Sequence, residues 1–125
     1  MFELSAGFEF NAAHRLVSDQ PGREHYARLH GHSFQAVIAC KAPINAAKGW
    51  ALDLGDIEAA AAEIRKSLDK QYLNEVEGLA APTLEALCVY IWRRAKAHGL
   101  PVSQVTVRRD SLKQACTLLS DPGPQ

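Results

Sequence analysis

The sequence predicts an α+β domain in which a four-stranded antiparallel sheet carries two helices on one face. Three observations point there. Near both ends of the chain apolar residues alternate with polar ones, the period of a strand with one face on a core. In the middle they recur at spacings of three and four, the period of an amphipathic helix. The length of 125 residues, 47% hydrophobic and 22% charged, suits one core and leaves little for a second. The resulting order is ββααββ, over a single domain at 1–119 with a short tail at 120–125.

Phe2, Leu4, Ala6, Phe8 and Phe10 share one face of the first strand, and Glu3, Ser5, Gly7, Glu9 and Asn11 the other. Residues 17–28 then hold Ser18, Asp19, Gln20, Pro21 and Gly22, a breaker cluster that makes a loop. The alternation resumes over 30–41, with Phe34, Ala36, Ile38 and Cys40 on one side. Asn45, Lys48 and Gly49 mark the next loop. Asp53 stands at an N-cap, and Leu54, Ile57, Ala61, Ile64 and Leu68 form the stripe of a helix running to about residue 72. Thr83 caps a second helix whose apolar side holds Leu84, Leu87, Cys88, Ile91, Trp92 and Ala95. His98, Gly99 and Pro101 end it. Residues 102–109 and 115–119 close the domain as a strand pair around 110–114, and 120–125, rich in Pro and Gly, reads as a loose tail.

Composition narrows the partners. Fourteen Lys and Arg balance fourteen Asp and Glu, so no overall field gathers nucleic acid or an anionic membrane, and the expected ligand is a small molecule. No apolar run approaches the roughly twenty residues of a membrane helix. The opening Met1, Phe2, Glu3, Leu4 is not a basic and then apolar leader, so a cytoplasmic protein is expected. Cys40, Cys88 and Cys116 are odd in number and set in apolar sequence, as buried free thiols are. A four-stranded sheet with one covered face also leaves bare edges, for which assembly with further copies is the economical cover.

The chemistry gathers on the histidines. His30 and His32 form H-x-H on a strand, so both rings leave one face with Cα atoms about 6.5 to 7 Å apart, and Gly31 between them leaves room. Alone, such a pair is more often a polar strand end facing water. His14 at the end of the first strand changes the balance, because pairing of the two strands as a hairpin brings a third ring to the same point. Three neutral imidazoles with one open position describe a catalytic zinc site, since a structural zinc is closed by four protein ligands. The cupin pattern also uses H-x-H, but it needs a nearby Glu where this chain has Phe34 to Ile38.

Five segments resemble one family. These are Phe10-Asn11-Ala12-Ala13-His14-Arg15-Leu16, Leu29-His30-Gly31-His32-Ser33-Phe34, Gly49-Trp50-Ala51-Leu52-Asp53-Leu54, Leu68-Asp69-Lys70-Gln71-Tyr72-Leu73-Asn74 and Pro82-Thr83-Leu84-Glu85. In order and spacing they are similar to the 6-pyruvoyl-tetrahydropterin synthase and 6-carboxy-tetrahydropterin synthase family. The resemblance implies the tunnelling fold, in which ββααββ subunits join into trimeric barrels that stack as a homohexamer, with pterin sites between subunits. It implies Zn2+ on His14, His30 and His32. It also implies a lyase acting on 7,8-dihydroneopterin triphosphate, giving a 6-substituted tetrahydropterin as in queuosine biosynthesis. In that chemistry zinc polarises side-chain oxygens while a base moves a carbon-bound proton.

The chain departs from the family pattern at the proton-transfer positions. Tyr26 stands where the family has its cysteine. Asp69 is kept, but Lys70 replaces the histidine beside it. Arg109, with Asp110 next to it, falls where the family has a glutamate that anchors the pterin. Tyr26 and Lys70, with Asp69, are therefore the expected catalytic residues, with Glu24 and His25 as loop alternatives, and Arg109 or Asp110 is expected to meet substrate. A guanidinium at position 109 repels the guanidine-like pterin edge and favours a carboxylate or phosphate. Three readings stay open: a pterin synthase, a zinc enzyme on another small oxygenated substrate, and a non-catalytic ligand-binding paralogue.

Overall fold

Four strands line up in chain order in one antiparallel sheet: β1 (Phe2–His14), β2 (His30–Ala42), β3 (Val102–Arg109) and β4 (Gln114–Leu119). Between β2 and β3 come α1 (Leu54–Leu68) and α2 (Leu84–Ala97). The computed structural model describes residues 1–119, and the expected tail at 120–125 lies outside the described residues. The ββααββ order and the helices on one face are as the sequence predicts. No helix among the described residues is long and apolar enough to cross a membrane.

The period of two sets which face of the sheet is covered. Phe10, Phe34, Ile38, Val105 and Val107 are fully buried beneath the helices, whereas Glu9, Asn11 and Ser33 on the other face are exposed. Phe10 and Phe34 are partners across the β1–β2 ladder and stack with centroids 4.9 Å apart. α1 lies over β1 through Ile57, Ile64 and Leu68, and α2 over β3 and β4 through Leu87 and Ile91. Cys40 and Cys88 are buried free thiols and Cys116 is half-buried.

Both helix starts follow the expected capping. Asp53 Oδ1 accepts from Gly55 N–H at 2.9 Å, and Thr83 Oγ1 from Ala86 N–H at 3.1 Å. The end of α1 does not follow the expectation, for it stops at Leu68 rather than near residue 72. The free edge of β1 captures the chain there. Asn11 N–H donates to Asp69 Oδ1 at 2.9 Å, Lys70 N–H to Asn11 O at 2.6 Å, and Ala13 N–H to Gln71 O at 2.9 Å. Lys70 accommodates the turn at φ +60°, a left-handed conformation that few non-glycine residues adopt. Residues 69–72 thus run beside β1 as a short extra rung. At the other side of the sheet, a 3₁₀ turn at Asp110–Leu112 and a left-handed Lys113 join β3 to β4.

Candidate metal centre

The hairpin register places His14 opposite His30, and Ala12 opposite His32. All three rings leave the face that carries Phe10 and Phe34. Their centroids lie 4.6 Å apart for His14 and His30, 5.0 Å for His14 and His32, and 4.9 Å for His30 and His32. One ring nitrogen from each lies within 4.8 Å of the other two. The Phe34 ring meets His14 and His32 edge-on at 5.9 and 5.6 Å, an apolar floor beneath the cluster.

Backbone carbonyls orient two of the rings. His14 Nδ1 lies 3.0 Å from Pro82 O, and His30 Nδ1 lies 2.7 Å from Arg28 O. A carbonyl only accepts, so each Nδ1 carries the proton and each Nε2 presents a lone pair. His14 Nε2 is buried and has no hydrogen-bond partner among the described residues. Burial, opposed by the Pro82 carbonyl, holds the His14 imidazole below its ordinary pKa. Burial first, then the charges of His14 and Arg109, lowers His32 to about 4. These two rings are therefore neutral near pH 7, the form that binds a metal. An unpaired buried lone pair and three convergent imidazoles fit a divalent ion, and three nitrogens with no carboxylate or thiol among the described residues fit zinc with an open position. His14, His30 and His32 would hold it.

Asn74 fixes the chain just past His14. Its Oδ1 accepts from Arg15 N–H at 2.9 Å and its Nδ2 donates to Arg15 O at 3.0 Å. Gly31 is less critical than the sequence suggests, because a Cβ there meets nothing closer than Ala12 O at 3.6 Å.

A cavity of about 590 Å³ opens beside the cluster, with His25, Tyr26, Arg28, His30, His32 and Arg109 on its wall. Tyr26, 37% exposed, meets the His25 ring edge-on at 4.3 Å. Arg109 follows the core-facing Val105 and Val107 on β3; its Nε is buried without a partner, and burial lowers its pKa. Asp110 is turned away from the cavity, exposed and paired with Arg108 at 3.0 Å. Glu24 does not line the cavity; its carboxylate accepts from Gly22 N–H at 3.4 Å.

Asp69 and Lys70 are placed elsewhere. Asp69 is spent on structure, with Oδ1 on Asn11 N–H and Oδ2 3.1 Å from Arg65. Lys70 borders a second, open hollow of about 600 Å³, lined on the sheet side by Asn11, Ala12, Ala13, Gly31, His32 and Ser33, so that His32 touches both hollows. Tyr26 and Lys70 therefore share no cavity wall within one chain. The carbonyls of Pro82 and Arg28 escape sequence reasoning because a backbone acceptor has no residue signature; only the proximity of Arg28 to H-x-H hints at it.

Fold and cluster together define a small α+β protein whose three convergent imidazoles could hold a metal ion beside a ligand-sized chamber. The family described as 6-pyruvoyl tetrahydropterin synthase matches residues 3–119, and the chain belongs to that family. It is 33% identical over 106 residues to the 6-carboxy-5,6,7,8-tetrahydropterin synthase of Synechocystis sp., spanning 81% of this chain and 80% of that one. It is 28% identical over 106 residues to a putative 6-carboxy-5,6,7,8-tetrahydropterin synthase of Archaeoglobus fulgidus, spanning 85% of this chain and 86% of that one. The solved 6-pyruvoyl tetrahydropterin synthase of Caenorhabditis elegans shares the fold, with a TM-score of 0.80 at 20% identity over 94% of each chain.

Proposed function

We propose that this chain is a zinc-dependent carbon–oxygen lyase that acts on 7,8-dihydroneopterin triphosphate or a near relative and yields a 6-substituted tetrahydropterin. The convergence of His14, His30 and His32 beside a 590 Å³ chamber, in a relative of a named 6-carboxy-tetrahydropterin synthase, is the observation that supports it. Bound zinc supplies Lewis-acid polarisation of oxygens on the substrate side chain. The chain's own residues do the rest. Arg28 and Arg109 present positive charge to the chamber and hold acidic groups. Tyr26 Oη, on the same wall, exchanges the proton that a carbon of the side chain loses or gains. Phe34 and the apolar floor keep water from the rear of the histidine cluster.

Lys70 belongs in this scheme through assembly, and Asp69 holds the turn that carries it. The sheet has two edges, β1 and β4, and among the described residues nothing pairs with the outer edge of β4. Joined edge to edge, copies form a ring, and the proposed homohexamer is a dimer of such trimers. Lys70 on the β1 side of one copy then serves the chamber of a neighbour.

The test is incubation of the zinc-loaded protein with 7,8-dihydroneopterin triphosphate, followed by mass analysis. Loss of triphosphate with a 6-substituted tetrahydropterin as product is expected. Intact substrate after many equivalents of enzyme overturns the proposal.

A further inference from the structure

We infer that Arg109 is an oxyanion receptor, taking a carboxylate or phosphate of the bound molecule, so that the chamber selects acidic substrates by that residue. This deepens the proposed function and rests on the histidine chamber being the substrate site.

Arg109 ends β3 in the row that begins with the buried Val105 and Val107, and it is half-buried at the chamber wall. Its Nε is buried and has no hydrogen-bond partner among the described residues. A buried donor left unmade is costly, the more so when it belongs to a charged group. Such a donor needs an explanation outside the chain's own hydrogen bonds, and at a chamber wall a functional role is one. Everything else charged on the wall has the same sign or can acquire it: Arg28 is a second guanidinium and His25 an imidazole, and among the described residues lining the chamber none is acidic. The two carboxylates closest in sequence and in effect do not compensate. Asp110 is paired with Arg108 outside the chamber. Glu85, whose charge acts on Arg109, is exposed in the first turn of α2 and does not line the wall.

The shape of the guanidinium decides which part of a ligand it takes. A guanidinium presents a planar fork of N–H donors that matches two oxygens of a carboxylate or phosphate. The pyrimidine edge of a pterin carries an amino group and a ring N–H, which are donors, and a guanidinium has donors only. Two donor edges cannot bond, so that edge of the ring is not seated on Arg109. An acidic group is, with the rest of the molecule extending toward the histidines. In 7,8-dihydroneopterin triphosphate the group is a phosphate; a substrate with a carboxylate on its side chain offers the same two oxygens.

Zinc-loaded protein, as wild type and as Arg109→Gln and Arg109→Lys, is titrated calorimetrically with inorganic phosphate and, separately, with succinate. Binding of either probe to the wild type, weakened about tenfold or more by Arg109→Gln and about threefold by Arg109→Lys, is the expected result. Phosphate alone identifies a phosphate as the group received, and succinate alone a carboxylate. Equal affinity in wild type and folded Arg109→Gln, or no binding of either probe by the wild type, overturns the inference. Should Arg109→Gln not fold, Arg109→Lys decides, with unchanged affinity overturning it. Failure of the proposed reaction reads differently. A protein that leaves 7,8-dihydroneopterin triphosphate intact yet binds phosphate or succinate through Arg109 loses the pterin reaction and keeps the receptor. Turnover that Arg109→Gln leaves untouched, with no probe binding, removes the receptor and keeps the reaction.

Discussion

The two faces of the β1–β2 hairpin carry different chemistry only one sheet thickness apart. Beneath the helices, His14, His30 and His32 converge, and the adjoining wall adds Tyr26 and Arg109. On the open face, Asn11, Ala13 and Ser33 border a hollow with Lys70 and its neighbours, and His32 touches that hollow as well. Alternation along a strand makes this separation automatic, because residues one apart leave opposite faces. Within one chain Tyr26 and Lys70 line different hollows, so catalysis that uses both is expected to draw on a second copy.

The largest effect separating the two faces is on metal. His32→Ala is expected to lower zinc affinity by about two orders of magnitude or more, since losing a ligand exceeds the ten- to hundredfold cost of losing a supporting contact. Ser33→Ala, one residue along and on the open face, should leave it unchanged. Competition with a chelator of known affinity measures both, and equal losses would dissolve the distinction between the faces. Next comes turnover. Tyr26→Phe and Lys70→Ala should each slow the reaction by about a hundredfold as proton-transfer groups. Mixed oligomers of the two variants should regain activity, because some chambers then pair an intact Tyr26 with an intact Lys70 from the adjoining copy. Absence of any recovery on mixing would place Lys70 outside the reaction.

Much of this is legible in the sequence. Alternation from Phe2 to Asn11 and again from His30 to Cys40 fixes which way each histidine points, once the strands are taken as a hairpin. Asp53 and Thr83 announce helix starts because a cap is a local event between a side chain and the next turn. The end of α1 is not local. Nothing in Asp69-Lys70-Gln71-Tyr72 opposes a helix strongly; the chain leaves it because the unpaired edge of β1 offers hydrogen bonds at Asn11 and Ala13. The same capture puts Lys70 on the open side, which is why its distance from Tyr26 could not be read from spacing. Arg109 is visible as an odd residue for its position, but its unpartnered Nε emerges only from the packing.

That capture should be measurable as stability. Asp69→Ala removes an acceptor from Asn11 N–H and a partner from Arg65, a contact 13% exposed on the aspartate side. A loss of about 1 to 3 kcal/mol is expected from denaturant unfolding. Asn11→Ala keeps the backbone bonds and removes only the side-chain contact to Ser33 Oγ, so it should cost less. If the two variants are equally mild, residues 69–72 are not anchored by Asp69, and the open face owes its Lys70 to something else.

The smallest effect tests the histidine face without its metal. In the folded chain His32 titrates at about 4, against 6.5 unfolded, and burial lowers His14 as well. Between those values the unfolded chain binds protons that the folded one refuses, so stability rises with pH. The metal-free protein should therefore hold full stability from these groups above about pH 6.5 and lose it progressively as the pH falls toward 4. His32 is only half-buried, so the fall should amount to a few degrees in Tm. His32→Ala should flatten the slope over that window. A slope that His32→Ala leaves intact would mean that His32 is not desolvated in the folded protein as its place in the cluster requires.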